Sequence, residues 1–276
     1  MPEGDTVWRT ARTLDQALSG QPLTESDFRV PRWALVDLVG QTVDATVSRG
    51  KHILTRLPDV TIHTHLKMEG SWHVYRPQSR WRSPAHQARL VLGNADWRAV
   101  GFRLGTVEVV PRSAEQTVVG HLGPDILGSD WSLDEAVRRL RARPERPIVE
   151  ALLDQRNVAG IGNLYAVETA FLCGLHPSEP VADVAALESA VERAQQLMRA
   201  NLEHTDQSTT GDRHRGRTHW VYGRSGQPCR RCGTAIASGR LAWDDDRRRR
   251  DDPSSDPEPD RARLAYWCPK CQERTG

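Results

Sequence analysis

Four of the five cysteines form two Cys-x-x-Cys pairs, Cys229-Arg-Arg-Cys232 and Cys268-Pro-Lys-Cys271. Each pair offers two thiols across a tight turn, which is how a tetrahedral zinc site is assembled. The 35 residues between Cys232 and Cys268 exceed the usual spacing, but removing the polar stretch 244–262 would leave 16. The sequence therefore predicts one structural zinc ion bound by these four cysteines. Unrelated thiols or a disulfide are the alternative.

The start of the chain offers a nucleophile. If Met1 is removed, Pro2 becomes a free secondary amine with a pKa near ~8, against ~10.4 for lysine, so more of it is neutral at neutral pH. Its attack on a sugar C1′ would yield an iminium, which is an electron sink for β-elimination. Glu3 is a neighbouring carboxyl group able to transfer protons. An ordinary N-terminus without chemistry is the alternative.

Two loop motifs carry further polar groups. Lys51 follows Gly50 between two predicted strands, where a lysine is either a phosphate-binding cation or a solvated charge. Between two predicted helices, the chain passes through Gly160 and Gly162 to Asn163. Such glycines permit close backbone approach, and amides at a helix start favour a phosphate. By itself the second motif is more often explained by a plain turn between helices.

The elements that must position these residues change type along the chain. A helix is predicted over residues 5–19, where every third or fourth residue is apolar and Gly20 follows. Short alternating segments then predict an all-β sandwich or barrel over residues 43–48, 52–57, 61–66, 71–75, 88–92 and 106–110. Apolar residues at helical spacing predict helices over residues 133–141, 147–153, 163–172 and 184–202. The fold class expected is α+β and multidomain.

Charge is distributed unevenly. The formal net charge is +2, yet residues 244–260 carry eight acids and four arginines, which leaves +6 on the remainder. Residues 211–231 hold six arginines and one acid, a composition that suits a phosphate backbone or a solvated surface. Residues 244–260 contain no apolar residue and are expected to form a disordered loop. No apolar run is long enough to span a bilayer and the first residues do not resemble a signal peptide, so we expect a cytoplasmic protein.

Together, these motifs resemble the formamidopyrimidine-DNA glycosylase/endonuclease VIII family over essentially the whole chain. The matching strings are Met1-Pro2-Glu3-Gly4, Ser48-Arg49-Gly50-Lys51, His65-Leu66-Lys67-Met68, Leu122-Gly123-Pro124-Asp125, Leu153-Asp154-Gln155 through Gly160-Ile161-Gly162-Asn163-Leu164-Tyr165, and Val221-Tyr222-Gly223-Arg224. Their order along the chain is also that of the family.

The resemblance implies three domains. An N-terminal catalytic β-sandwich with an N-terminal helix is expected over residues 1–120, and a helix–two-turn–helix DNA-binding domain over residues 121–215. A zinc-finger β-hairpin is expected over residues 216–276, interrupted by the insertion at residues 244–260. The implied partner is damaged double-stranded DNA in the cleft between the lobes, bound by a monomer that associates with the nucleoid and not with a membrane.

The resemblance also implies roles for individual residues. It implies a bifunctional DNA glycosylase and AP lyase of base excision repair, in which Pro2 forms a Schiff base and Glu3 is the general acid. The strand would then be cut by β- and δ-elimination. Lys51 would hold the phosphate and sugar near the lesion, Asn163 the backbone of the damaged strand, and Arg263 would act at the finger tip. Met68 and Leu104, with Arg103 beside it, would fill the space left by the extruded nucleotide.

The preferred base is less determined. Asp5-Thr6 stands where the family usually has a second glutamate. Gly4, the residues before the finger and the short run between Thr210 and Val221 are similar to endonuclease VIII, which favours oxidised pyrimidines. Residues 65–68 are instead similar to the 8-oxoguanine branch, so a formamidopyrimidine/8-oxoguanine-type glycosylase is the alternative. A non-catalytic damaged-DNA-binding protein would have lost the Pro2, Glu3 and Lys51 set, which is intact here.

Overall fold

The computed structural model describes residues 2–240 and 264–274 and divides the chain into two compact units, Met1–Trp131 and Ser132–Gly276. The predicted insertion at residues 244–260 and the candidate Arg263 lie outside the described residues. The three-domain division therefore stays a prediction.

The first unit is a β-sandwich preceded by a helix, as the sequence predicts. Helix α1 (Gly4–Leu18) is followed by two four-stranded antiparallel sheets. The strands are β1 (Glu25–Phe28), β2 (Ala45–Arg49), β3 (His52–Arg56), β4 (Val60–His65), β5 (Ser71–Tyr75), β6 (Ala88–Gly93), β7 (Arg98–Phe102) and β8 (Thr106–Pro111). One sheet has the order β2-β3-β4-β8 and the other β1-β6-β7-β5.

The core of this unit lies between α1 and the two sheets. Leu14 of α1, Ile53 of the first sheet and Leu92 of the second belong to one buried cluster. The apolar stripe of α1 is thus the face that the helix buries, because only that face can be removed from water against the sheets. A smaller cluster around Phe102 lies on the other side of the second sheet, under Trp81.

Two strands and one short helix were not predicted. Strand β1 contains only one apolar residue, Phe28, and owes its conformation to pairing with β6. Strand β7 contains Gly101, which weakens strand propensity; a Cβ there would meet the end of the Leu104 side chain, which packs against the glycine. The four-residue helix α2 (Gln116–Val119) lies in the segment after β8.

The second unit is helical and ends in a small hairpin. The four predicted helices are confirmed, although the last begins at Leu187 and not at residue 184, where the backbone is still extended. They are α3 (Leu133–Arg141), α4 (Ile148–Leu153), α5 (Asn163–Leu172) and α6 (Leu187–Arg199). Strands β9 (Ala237–Arg240) and β10 (Leu264–Trp267) pair antiparallel beside the cysteines. The predicted α+β class is therefore confirmed.

Among the described helices, none combines the length and the apolar character that crossing a membrane would require.

Candidate active site and metal centre

Lys51 lies in a two-residue hairpin loop of the first unit. Arg49 and His52 form the last pair of the β2–β3 ladder, so only Gly50 and Lys51 connect the strands. Gly50 has a φ of +58°, whereas Lys51 does not have a positive φ, a combination typical of a type II′ turn with glycine at its first central position. Lys51 is half-buried. The turn therefore places the lysine at a geometrically defined tip.

Residues 123–130 hold this tip from outside the ladder. The Arg49 guanidinium donates to Asp130 Oδ1 at 2.8 Å and to the Gly123 carbonyl at 3.0 Å. The Gly50 N–H donates to Asp125 Oδ2 at 2.7 Å. Burial raises the pKa of Asp125, although the Gly50 and Leu127 amides oppose the shift.

The N-terminal candidates lie at the start of α1. Pro2 is half-buried, and the Glu3 side chain has no exposed surface. Glu3 is the N-cap residue, and its carbonyl accepts a hydrogen bond from Val7 N–H at 3.0 Å. A carboxyl group at this end of a helix is favoured by the helix dipole. Asp5, where the family usually differs, is also fully buried in the first turn.

A chain of polar side chains that sequence reasoning missed runs across one face of the first sheet. Glu108 Oε2 lies 2.9 Å from His63 Nδ1, and His63 Nε2 lies 2.8 Å from His52 Nδ1. The Lys67 N–H donates to His65 Nδ1 at 2.8 Å. The alternation of histidines over residues 63–65, with His52 opposite His65 in the ladder, is the signal that could have revealed the chain.

Two of these histidines, His65 and His52, have lowered pKa values beside the Lys51 hairpin, which favours their neutral forms. Burial, followed by the charges of Lys67 and Lys51, lowers the pKa of His65 to about 3. Burial, followed by the neighbouring His65 and His63, also lowers the pKa of His52 well below its ordinary value. Because His65 Nδ1 accepts a hydrogen bond, its neutral ring carries the proton on Nε2.

The two loops that carry the candidate space-filling residues lie side by side. The Gly105 N–H donates to the His65 carbonyl at 3.0 Å, and a Cβ on Gly105 would overlap the Lys67 side chain. Met68 is 43% exposed, whereas Leu104 is only 3% exposed and belongs to the main core cluster. Arg103 is exposed and has a φ of +47°. The structure thus presents Met68 and Arg103 at the surface and packs Leu104 in the core.

In the second unit, Asn163 begins α5 directly after the glycine turn. Gln155 shapes that turn by donating to the Leu153 and Ile161 carbonyls and accepting from the Gly160 N–H. The Asn163 amide group donates to the Leu264 carbonyl at 3.1 Å, which ties the turn to the β9–β10 hairpin. Its Oδ1 atom is buried and has no hydrogen-bond partner in the described part of the chain.

A buried carboxylate that sequence reasoning missed organises the segment before the cysteines. Glu168 of α5 is fully buried and accepts hydrogen bonds from three consecutive amides, those of Trp220, Val221 and Tyr222, at 2.7–2.8 Å. The Thr209 hydroxyl donates to the same carboxylate. Glutamate within a helix carries no sequence signal for such a role, because its partners are backbone groups far along the chain.

The four predicted cysteines come together as one cluster. Their sulfur atoms all lie within 4.8 Å of one another, with Cys232 and Cys268 3.4 Å apart and Cys229 and Cys271 4.0 Å apart. These distances are too long for disulfides and close to the ~3.8 Å expected for a tetrahedral zinc site with ~2.3 Å bonds. Burial and the neighbouring thiols raise the pKa of Cys271 to about 12, so a full set of thiolates calls for a cation. The donor set therefore fits a metal ion.

The arginines around the cluster divide into two kinds. Arg224 is buried and donates to the Trp220 and Pro228 carbonyls, so it holds the chain in place. Arg230 and Arg231 are exposed, although Arg230 donates to the His219 and Gly216 carbonyls at 3.0 and 2.6 Å and the Arg231 guanidinium lies over the Phe171 ring at 4.4 Å. Arg261 and Arg263 fall outside the described residues.

Two family models match most of the first 213 residues, and known proteins match the chain along nearly its full length. The formamidopyrimidine-DNA glycosylase N-terminal domain matches residues 1–107, and the H2TH domain of the same enzymes matches residues 122–213. The chain is 49% identical to the Streptomyces coelicolor protein named "Probable endonuclease 8 2", over 99% of this chain and 94% of that protein. It is 44% identical to the Mycolicibacterium smegmatis "DNA-(apurinic or apyrimidinic site) lyase Nei2", over 99% of both.

A solved structure supports the fold. The Lactococcus lactis formamidopyrimidine DNA glycosylase, non-covalently bound to DNA with an AP site, has a TM-score of 0.77 at 22% identity, covering 99% of this chain and 100% of that one. At this sequence identity, the structural similarity is evidence for the fold alone. With the domain models and the full-length relatives, it confirms the resemblance that the motifs predict: the chain belongs to the formamidopyrimidine-DNA glycosylase/endonuclease VIII family.

Proposed function

We propose that this chain is a bifunctional DNA glycosylase and AP lyase of base excision repair that uses Pro2 as its nucleophile. The activity class follows from the family and from full-length relatives named endonuclease 8 and AP lyase. The observation that carries the mechanism is the pairing of a half-buried Pro2 with a fully buried Glu3 at the start of α1. An amine and a proton donor side by side are what imine formation requires.

The chemistry runs in two stages. The lone pair of the Pro2 nitrogen attacks C1′ and the bond from C1′ to the damaged base breaks. The nitrogen gives up its N–H proton, and the base leaves with a proton, so the adduct is neutral. The sugar ring then opens, Glu3 protonates O4′, and an iminium remains between Pro2 and C1′. Loss of a C2′ proton breaks the C3′–O bond and expels the 3′ phosphate, which is β-elimination. Loss of a C4′ proton then breaks the C5′–O bond and expels the 5′ phosphate, which is δ-elimination and releases the sugar from the strand. Hydrolysis of the iminium frees Pro2.

The other candidate residues bind and position DNA. Lys51 holds the phosphate and sugar of the damaged nucleotide, Asn163 contacts the backbone at the start of α5, and Arg263 contacts it from the finger. Met68, with Arg103 and Leu104, fills the space of the extruded nucleotide. Since Leu104 is buried in the free protein, this assignment requires the loop after β7 to move when DNA binds, whereas Met68 is already exposed.

A single zinc ion is the metal proposed for Cys229, Cys232, Cys268 and Cys271. With all four positions taken by protein thiolates, no coordination site remains for substrate, so the ion is structural and supports DNA binding. Metal analysis of purified active protein is expected to give one zinc per chain. Active protein without zinc would contradict this proposal.

Borohydride trapping tests the nucleophile. With a duplex that contains an abasic site, reduction of the iminium is expected to leave a covalent adduct that peptide mapping places on Pro2. An adduct on a lysine would overturn the mechanism. Binding without any adduct would favour a non-catalytic damage-binding protein.

The substrate we propose is an oxidised pyrimidine. The segment between α6 and the finger is short and closed on itself: the Thr209 N–H donates to the Thr218 carbonyl at 2.8 Å, and Arg213 donates to the Asp206 carbonyl at 2.7 Å. Because its residues are few and bonded to one another, such a segment is too short to enclose a purine. Saturated pyrimidines stack poorly, so their extrusion costs less and a small lid suffices.

Single-turnover excision of thymine glycol and of 8-oxoguanine opposite cytosine decides between the two substrate classes. We expect thymine glycol to be released faster. Faster release of 8-oxoguanine would favour the formamidopyrimidine/8-oxoguanine-type alternative, to which residues 65–68 are similar.

The remaining features of the proposal concern organisation. We assign catalysis to residues 1–120, DNA binding to the helix–two-turn–helix region at residues 121–215 and to the finger at residues 216–276, and monomeric action on damaged duplex DNA in the cytoplasm, at the nucleoid. The match of the H2TH model to residues 122–213 supports the middle boundaries.

A further inference from the structure

One carboxyl group of the first unit is almost completely buried and has no part in the chemistry above. Asp125 is 3% exposed; its Oδ2 accepts the Gly50 N–H at 2.7 Å, and its Oδ1 accepts the Leu127 N–H at 3.0 Å. Burying a carboxylate is strongly unfavourable unless hydrogen bonds replace its hydration. The presence of Asp125 at this position therefore calls for an explanation.

The Gly50 amide is not part of the hairpin's own ladder. In a two-residue hairpin, the ladder ends at the flanking pair, here Arg49 and His52, and the N–H of the first loop residue points away from the partner strand. Such a group normally meets water. In this protein Gly50 is buried, and the carboxylate of Asp125 accepts a hydrogen bond from its N–H.

Further bonds join the same two segments. The Arg49 guanidinium donates to Asp130 and to the Gly123 carbonyl. Residues 123–130 therefore bind two consecutive residues of the hairpin, Arg49 and Gly50. The next residue along the chain is Lys51. Any rotation of the tip about the strand axis would break these bonds and displace the Lys51 backbone.

We propose that Asp125 is a positioning residue for Lys51: it fixes the hairpin tip by holding the Gly50 amide, and so sets where the lysine meets the DNA. This inference rests on the proposed role of Lys51 in base excision. Positioning has large effects, because a displacement of about 1 Å can cost about 100-fold in rate. A carboxylate is suited to this place since its two oxygens accept both amides, whereas an asparagine would direct its NH2 group at one of them.

The experiment compares Asp125→Asn, Lys51→Ala and the double variant on two substrates, at saturating enzyme and in single turnover. One substrate is a thymine glycol duplex, which requires base excision; the other is a duplex with a preformed abasic site, which requires strand cleavage alone. We expect Lys51→Ala to slow excision far more than cleavage. Asp125→Asn is expected to slow excision by about tenfold or more and cleavage by less than about threefold. The double variant is expected to be no slower than Lys51→Ala, because the effect of Asp125 passes through the lysine.

Glu115→Gln is the matched control. Glu115 is another buried carboxyl group of the first unit, and it accepts from Arg56, at the far end of β3, and from Thr61 of β4. Its replacement is expected to leave the ratio of excision to cleavage unchanged. If Asp125→Asn does not fold, Asp125→Glu gives the same readout, since it keeps the carboxylate but shifts it by one methylene.

The outcomes separate the two proposals. A normal ratio in Asp125→Asn, together with selective loss in Lys51→Ala, overturns the positioning role alone. Equal slowing of both substrates by Asp125→Asn, or full additivity with Lys51→Ala, also overturns it. Equal loss of both activities in Lys51→Ala would instead overturn the proposed role of Lys51, on which the inference rests.

Discussion

The two units hold their functional segments by different means. In the first, strand ladders fix the backbone up to the last residue pair, and one carboxylate, Asp125, secures only the tip of a hairpin. In the second, the described segment before the finger is not part of a strand ladder. Glu168 accepts hydrogen bonds from three consecutive amides and a hydroxyl of this segment. The four cysteines cluster in the chain that follows. A regular sheet needs additional hydrogen bonds only where its ladders end, whereas an irregular segment needs a group that binds several of its amides at once.

This difference implies a division of labour. The chemistry proposed for the first unit depends on groups placed to within a fraction of an ångström, for which a rigid sandwich is suited. The role proposed for the second unit is to bind a phosphate backbone through arginines and helix-start amides, where the charge matters more than the exact position of one atom. Changes in the first unit should therefore affect rates, and changes in the second should affect binding and local stability.

The largest effect is expected from blocking Pro2. A chain extended by residues before Pro2 has a tertiary amide there, with no nucleophilic lone pair. Excision and strand cleavage are expected to fall by at least about 10³-fold, or about 4 kcal/mol in activation free energy. Single-turnover rates of the extended and mature chains measure this. Binding to undamaged duplex should be equal in both chains. Unchanged rates in the extended chain would contradict the role of Pro2 as the nucleophile, and with it the assignment of chemistry to the first unit.

Glu168→Gln tests the anchor of the second unit. Because the variant removes a buried charge from four donors, the free energy of unfolding of this unit is expected to fall by roughly 2–4 kcal/mol. Hydrogen exchange is the measurement, and the amides of residues 220–222 should lose protection. Glu145→Gln, at an exposed position of the same unit, is the control. Retained protection would mean that the segment is held by other contacts.

Acidification tests the neutral histidine in the first unit. His65 has a pKa of about 3 in the folded protein and an ordinary value near ~6.5 when unfolded, so the unfolded state binds one more proton between these values. Its contribution to stability is thus present above pH ~6.5 and is lost as the pH falls towards 3. In His65→Asn, which keeps an acceptor for the Lys67 amide, the slope of unfolding free energy against pH should decrease by about 1.4 kcal/mol per pH unit. Urea unfolding at pH 5.5 and 4.5 measures it, and identical slopes would contradict the shift.

The smallest effect is expected from Arg263→Ala in the finger. If Arg263 contacts one phosphate, the slope of log binding constant against log salt should decrease by about 0.9, with excision at saturating enzyme unchanged. Titrations at several salt concentrations measure the slope. Arg138→Ala is a fair control, because Arg138 is exposed on α3 and paired with Glu135. A reduced excision rate at saturating enzyme would mean that Arg263 contributes to the chemical step and not only to DNA binding.

The sequence by itself determined the features that depend on residue type and spacing. The first helix, the strands around the Lys51 hairpin and the clustering of the four cysteines were predicted, because amphipathic periodicity and Cys-x-x-Cys spacing are local properties. The helix was predicted over residues 5–19 and is observed at Gly4–Leu18. Only the tertiary structure decided that Leu104 is packed in the core while Met68 is exposed, and that Asp125, Glu168 and the histidines of β3 and β4 have structural partners. The physical reason is that each of these side chains is defined by groups distant in sequence: Asp125 binds the amide of a residue 75 positions earlier, and Glu168 binds amides more than 50 positions later. Such hydrogen bonds are made to the backbone, which is chemically the same at every residue, so only the fold determines which one is met.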